Sequence, residues 1–231
     1  MLTGFSVFEE AKWGTGRVKK YQAFVFFAGV MLVLGGLFWF GQANKDRPLD
    51  TEQLKALGFV QLPSPRVLEG VDLLTQSGEP FDGDQLTGKW TYAFFGYTNC
   101  PDICPVTMDI LRRTVDRFQD TFTAEEFALF QGMFVSVDPS RDGVEEVREF
   151  VARYSDSFLG VTGSEATIKD FATQVGVGYE RIPSTSELQY LVEHQGHLVV
   201  FDPQGDCIGY IKEPFDTVQL TNLFQHLVKH G

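Results

Sequence analysis

Three kinds of apolar pattern succeed one another along the chain, and each predicts a different element. From Ala23 to Phe40, eighteen successive residues carry no charge and are rich in Phe, Val and Leu. As a helix they would cover about 27 Å, the thickness of a bilayer's hydrocarbon core. The bulky Trp39 and Phe40 at the end of the run suit a membrane interface better than a cleavage site, which requires small residues, so a span is preferred to a cleaved signal peptide. Residues 43–66 are polar and interrupted by Pro63 and Pro65, without sustained periodicity, and read as a tether. A compact domain is expected from Val67. Within it, Val71–Leu74 and the turn at Ser77-Gly78 predict an opening hairpin, and Trp90–Phe95 a buried strand. Ile110, Leu111, Val115 and Phe118 recur at helix-face spacing to about Gln119; Met133–Val137 is again a buried-strand run. Helices are expected through Val144, Val147, Phe150 and Val151, and from Ser164 to Val175. Leu188–Phe201, the turn Asp202-Pro203-Gln204-Gly205 and Cys207–Ile211 predict a second hairpin, followed by an amphipathic helix from Thr217 to His230.

Alternating strands and helices of this length mean βαβ units, so the expected fold is α/β with parallel strands in a central sheet. The expected organisation is a tail over residues 1–20, a membrane-spanning helix over 21–42, a tether over 43–66 and a compact domain over 67–231. Arg17, Lys19 and Lys20 precede the span, whereas Lys45 and Arg47 beyond it are offset by Asp46 and Asp50. That bias orients the N-terminus to the cytoplasm and exports the domain.

Charge narrows the function classes. The chain of 231 residues carries a net −12; residues 1–43 hold four basic and two acidic residues, which leaves 15 basic and 29 acidic ones, a net −14, for the remainder. Such a body repels phosphate backbones, which argues against nucleic acid as a partner and is compatible with cations and basic surfaces. Three cysteines are too few for a disulfide scaffold, so their use is local.

Two of them fall in Thr98-Asn99-Cys100-Pro101-Asp102-Ile103-Cys104-Pro105, between the strand and the first long helix. Pro105 suits a helix start, which puts Cys104 in the first turn and Cys100 in the loop before it. If both were helical, their Cα atoms would stand about 6 Å apart, close enough for a disulfide or for one soft metal ion. The plainer reading, a structural disulfide or two buried thiols, is disfavoured because loop prolines and a helix N-terminus are poor surroundings for inert core cysteines. The helix dipole favours thiolate, but the loop holds no Lys, Arg or His, and its Asp102 disfavours thiolate while attracting a cation. That balance favours metal binding over redox chemistry. A peroxidase is disfavoured because its low-pKa cysteine needs an arginine that this loop lacks.

Two thiolates leave a soft ion under-coordinated, so a histidine is sought. His226 and His230 lie on the last helix, where a solvated face accounts for them. His194 and His197 differ by three positions and on one strand would point to opposite faces, so only one can meet the cysteines. The pattern does not choose between them.

Several segments together resemble the Sco/SenC family, membrane-tethered thioredoxin-like copper proteins of cytochrome c oxidase assembly. They are Leu86-Thr87-Gly88-Lys89-Trp90, the run from Phe95 through Cys100 and Cys104 to Pro105, Val137-Asp138-Pro139-Ser140-Arg141-Asp142, Tyr190-Leu191-Val192-Glu193-His194, and Asp202-Pro203-Gln204-Gly205. The likeness covers about residues 67–230. It implies a thioredoxin-like mixed sheet flanked by helices, copper as Cu(I) or Cu(II), and Cys100, Cys104 and His194 as its ligands. Soft thiolates with an imidazole suit copper in either state, and three ligands leave the site open enough to release its ion. Glu193 and Gln195 depart from the family's commoner Asp-His-Ser/Thr wording, which bears on partner preference or tuning. Asp138 and Arg141 lie in a loop near the family's copper edge, though a turn before a helix also explains them. Cys207 matches no family ligand and is expected to be an idle buried thiol.

The resemblance implies a metallochaperone, anchored in the inner membrane with a periplasmic domain. It would take copper from a periplasmic donor and pass it to a respiratory oxidase, chiefly the binuclear site of subunit II, or to another copper-accepting protein. Oxidation of the cysteine pair to a disulfide would switch binding off. The rival reading is an enzyme, a thiol-disulfide oxidoreductase in which Cys100 and Cys104 are the redox pair and His194 is dispensable.

Overall fold

The computed structural model describes residues 15–45, 48–182 and 190–231, and the chain divides into two compact units, residues 1–48 and 49–231. In the first, one continuous helix, α1, runs over Thr15–Lys45. Its described side chains, from 24 to 39, are exposed. Among the described residues no helix is long and apolar enough to cross a membrane; the expected span over 21–42 extends past the described side chains at both ends. Residues 1–14 of the expected tail, Asp46 and Arg47, and the expected strand start at Leu188 lie outside the described residues.

The second unit contains, in order, α2 (Thr51–Ala56), β1 (Phe59–Arg66), β2 (Leu73–Thr75), β3 (Pro80–Phe81), β4 (Trp90–Gly96), α3 (Ile103–Thr121), α4 (Ala124–Phe127) and β5 (Phe130–Ser136). There follow α5 (Val144–Ala152), β6 (Leu159–Thr162), α6 (Glu165–Gln174), β7 (Tyr179–Ile182), β8 (Leu191–His194), β9 (Leu198–Phe201), β10 (Cys207–Ile211) and α7 (Thr217–His230). Eight strands form one mixed sheet in the order β1-β10-β9-β4-β5-β6-β2-β3, and β7 with β8 forms a separate two-stranded sheet. The expected parallel strands are β4, β5 and β6, side by side at the centre. Antiparallel pairs extend the sheet on either flank.

Helices cover both faces of the centre, which is why every residue of β4 is buried and its sequence reads as one apolar run. On one face Phe171 of α6 stacks on Phe95, ring centroids 5.7 Å apart, and parallel to Phe201. On the other, Phe118 of α3 stacks on Phe224 of α7 at 4.6 Å, and Phe150 of α5 packs on Phe134. Burial of side chains of this size stabilises each by about 1.5–3 kcal/mol relative to exposure. The rigid centre therefore presents the C-terminal ends of β4 and β5 as a firm platform, the place where α/β sheets commonly carry ligands.

Two stretches differ from expectation. The segment read as a tether holds α2 and β1, and the compact unit begins at Leu49 rather than near Val67. Phe59 and Leu54 are buried, and β1 pairs with β10 through Phe59↔Ile211 and Val60↔Tyr210 before its register shifts between Gln61 and Arg66. Pro63 and Pro65 are tolerated because β1 is an edge strand, so its prolines deprive no second neighbour of a donor. The apolar stretch ending at Phe201 is likewise two strands, β8 and β9, in different sheets, parted by Gln195-Gly196-His197.

Candidate metal centre

β4 ends in a glycine whose absent side chain has a use. A Cβ on Gly96 would lie 2.9 Å from the Cys104 sulfur and 2.8 Å from the Phe94 ring, closer than carbon tolerates. The chain then turns, with Cys100 N–H donating to the Tyr97 carbonyl, and α3 starts at Ile103. Cys104 thus occupies the first helical turn and Cys100 the preceding loop. No side chain caps α3. The Cys100 sulfur instead accepts the Cys104 backbone N–H at 3.4 Å, serving one of the four N–H groups a helix start leaves unpaired.

Cys104 is fully buried and Cys100 half-buried; both are free thiols. Burial, first, pushes the Cys104 thiol far up, and the neighbouring Cys100 pushes it further. Desolvation therefore outweighs the helix-dipole effect expected from sequence.

His194 ends β8. Its Nδ1–H donates to the Gln195 carbonyl at 3.3 Å, which assigns the tautomer and leaves the Nε2 lone pair facing the Cys104 sulfur at 3.4 Å. Phe94 and Tyr97 stand edge-on to the imidazole at 5.6 and 5.9 Å between centroids. Burial lowers its pKa, so the ring is held neutral, the form that can ligate. The other histidine, His197, packs on Tyr210 beside β10 and does not meet the cysteines. His226 is only partly solvated, since its Nδ1 accepts the Leu49 N–H at 3.5 Å, and its ring stands 5.1 Å from that of His230.

The ligand atoms of Cys100, Cys104 and His194 all lie within 4.8 Å of one another. With one edge of the triangle at 3.4 Å, its centre is no more than about 2.6 Å from each donor, near the about 2.0–2.3 Å of metal–nitrogen and metal–sulfur bonds. Two sulfurs and an imidazole nitrogen fit a soft or borderline ion with little movement.

A turn beyond β5 secures both halves of this arrangement. The Asp142 carboxylate accepts from Thr98 N–H at 2.8 Å, Thr98 Oγ1–H at 2.6 Å and Ser136 Oγ–H at 2.7 Å, which fixes the loop two residues before Cys100. Asp142 is completely buried, and that burial raises its pKa against the lowering effect of these donors. Four residues earlier, Asp138 accepts from the Tyr190 hydroxyl and from Arg141 Nε. Arg141 also donates to the Tyr190 carbonyl at 3.1 Å, and its guanidinium lies 3.7 Å from the Tyr190 ring centre. Tyr190 immediately precedes β8, so the Asp138 end of the turn holds the strand that carries His194.

Asp138 and Arg141 are thus more than a turn before α5, whose N-cap is Gly143. Sequence reasoning gave no role to Gly96, Thr98, Asp142 or Tyr190, although each stands in the segments that carried the family resemblance. Cys207 is buried away from the centre, its thiol pushed up to about 11 by burial.

Comparison with known proteins places the chain. The family model described as SCO1/SenC matches residues 63–229. An SCO2-like protein of Rickettsia prowazekii is 28% identical over 156 residues, 67% of this chain and 74% of that protein. The crystal structure of Arabidopsis thaliana ScoI with copper bound has 28% identity and a TM-score of 0.63, over 72% of this chain and 98% of that one. Yeast Sco1 with copper bound has 26% identity and a TM-score of 0.64, over 74% and 91%.

Proposed function

The chain belongs to the SCO1/SenC family, and from that premise we propose that it is a membrane-anchored copper metallochaperone that holds one copper ion through Cys100, Cys104 and His194. The observation that carries the proposal is the convergence of two thiols and one neutral imidazole on a space of ligand size. Copper-bound relatives in Arabidopsis and yeast agree with the choice of ion. Members of the family are cytochrome c oxidase assembly proteins, which supports an oxidase as recipient, here the binuclear copper site of subunit II. Copper is the cargo. Three protein donors hold it and leave room for a donor of the acceptor, so release proceeds by ligand exchange. On loading, the buried Cys104 thiol would release its proton to solvent as the ion takes its place, which ties binding to pH and to reduced thiols.

The long helix α1, with exposed Phe, Val and Leu between residues 24 and 39, supports an anchor over 21–42. In this reading residues 1–20 are cytoplasmic and the compact unit is periplasmic.

A thiol-disulfide oxidoreductase is the second reading, favoured by the adjacency of the two free cysteines. Burial keeps the Cys104 thiol protonated, so attack on a disulfide in this reading falls to the more exposed Cys100. Copper stoichiometry of the reduced protein decides between them. One ion per chain, lost or greatly weakened in Cys100→Ser, Cys104→Ser and His194→Ala, is the expected result. Absence of copper from the parent, with disulfide reduction retained in His194→Ala, would overturn it.

A further inference from the structure

In the small β7–β8 sheet, Glu180 stands directly opposite Glu193 and Ile182 directly opposite Leu191. Like charges at directly opposed positions of an antiparallel pair repel, so this placement works against the sheet that contains it. Side chains alternate along a strand; Leu191 and Glu193 therefore share one face of β8 while Val192 and His194 share the other. Burial agrees, with Val192 5% exposed and Leu191 50%. The outer face is thus two carboxylates beside two exposed apolar side chains, and the inner face carries the candidate ligand.

The arginines of this end of the molecule do not relieve the repulsion. Arg141 and Arg181 are directed to Asp138, and among the described residues no cation pairs with Glu180 or Glu193. An open depression of about 430 Å³ is lined by Gly178, Tyr179, Glu180, Glu193, His194 and Gln195, so both carboxylates and the histidine border the same opening. Across the centre, the cysteine side adds Asp102 and Val106, both exposed. Acid and apolar surface thus recur together around the site. Each costs the isolated chain something, and both are satisfied at once by a surface that brings a cation between apolar groups. Anionic headgroups and nucleic acids are repelled by it.

We propose that the outer face of β7–β8 is the docking surface for the copper-accepting protein, and that the acceptor presents Lys or Arg flanked by apolar side chains there. The proposal rests on the metallochaperone reading and names the partner chemistry of the same site. The carboxylates steer the encounter and the apolar pair holds it, so the charge acts mainly on the association rate and its salt dependence.

The test titrates the full-length chain, with and without copper, with the soluble copper-accepting domain of oxidase subunit II at several ionic strengths. In Glu180→Gln/Glu193→Gln, association is expected to weaken about tenfold at low salt and to lose most of its salt dependence. Copper stoichiometry should stay unchanged, and the thermal midpoint should hold or rise because the repulsion is removed. A purely structural role for the two carboxylates would lower that midpoint instead. Cys100→Ser should show the reverse pattern, abolishing copper uptake while leaving association of the copper-free chain intact. Association of the Gln variant that matches the parent at every salt concentration overturns the docking surface, as does a parent that does not associate with this domain. Failure of the parent to bind copper overturns the preceding reading instead.

Discussion

Two regions of the compact unit each contain a fully buried cysteine and a partly buried histidine: Cys104 with His194, and Cys207 with His197. In both, burial raises the thiol and lowers the imidazole, so their electrostatics run parallel. Their geometry does not. Cys104 and His194 meet at 3.4 Å with a second sulfur beside them. Cys207 begins β10, whereas His197 lies beyond the far end of the β9–β10 ladder, against Tyr210. Buried donors alone do not make a metal centre; loops must be tied so that the donors converge. The turn from Asp138 to Asp142 supplies those ties in the first region.

The two regions should part most sharply when the candidate ligands are changed. His194→Ala and Cys104→Ser are expected to weaken copper binding by more than about 100-fold, since even the partners of ligands are commonly worth about 10–100-fold. Competition against a chelator of known affinity measures it, and a loss below tenfold would remove His194 from the ligand set. Next comes the tie itself. Asp142→Ala strands three donors from Thr98 and Ser136 and should cost about 3 kcal/mol in chemical denaturation, with copper affinity falling about tenfold. Stability lost with affinity intact would show that the cysteine loop does not depend on the turn. Cys207→Ala should lower stability by only about 1 kcal/mol and leave copper stoichiometry at the parental value. A drop in stoichiometry would give the second region a part in binding.

The smallest effect concerns His197. Its folded pKa is lowered, first by burial and then by Lys212, so its neutral form is favoured in the folded chain. That contribution is complete above the unfolded value of about 6.5, begins to fall away below it and is lost as pH falls through the lower folded value. His194 and His226 shift in the same direction, so the parent should lose stability on acidification and His197→Gln slightly less of it. Thermal midpoints from pH 7.5 to 5.5 follow this, and identical slopes would assign the acid sensitivity to the other two.

Much of the frame was legible because its signals are local. β4, α3 and α7 announce themselves through unbroken or helically spaced apolar residues, and the family resemblance singled out the three candidate donors. α2 and β1 were obscured because an edge strand accepts prolines that elsewhere mark a linker. The split between β8 and β9 was hidden by apolar continuity across a change of sheet. The role of the turn was least visible: Asp142 reaches Thr98 across 44 positions and Asp138 reaches Tyr190 across 52, distances at which pattern and spacing carry no information. Electrostatic reasoning also failed locally, because the dipole of α3 is written in the sequence while the depth at which Cys104 lies is not.

Five consecutive residues therefore tie together the cysteine loop and the histidine strand, which also meet directly where Cys104 and Tyr97 approach His194. If the Asp138–Asp142 turn opens, the cysteine loop and the histidine strand are released in one event, and the Thr98 amide becomes exchangeable with solvent at the rate of that opening. Hydrogen exchange at that amide therefore times how often the three candidate donors lose their shared support.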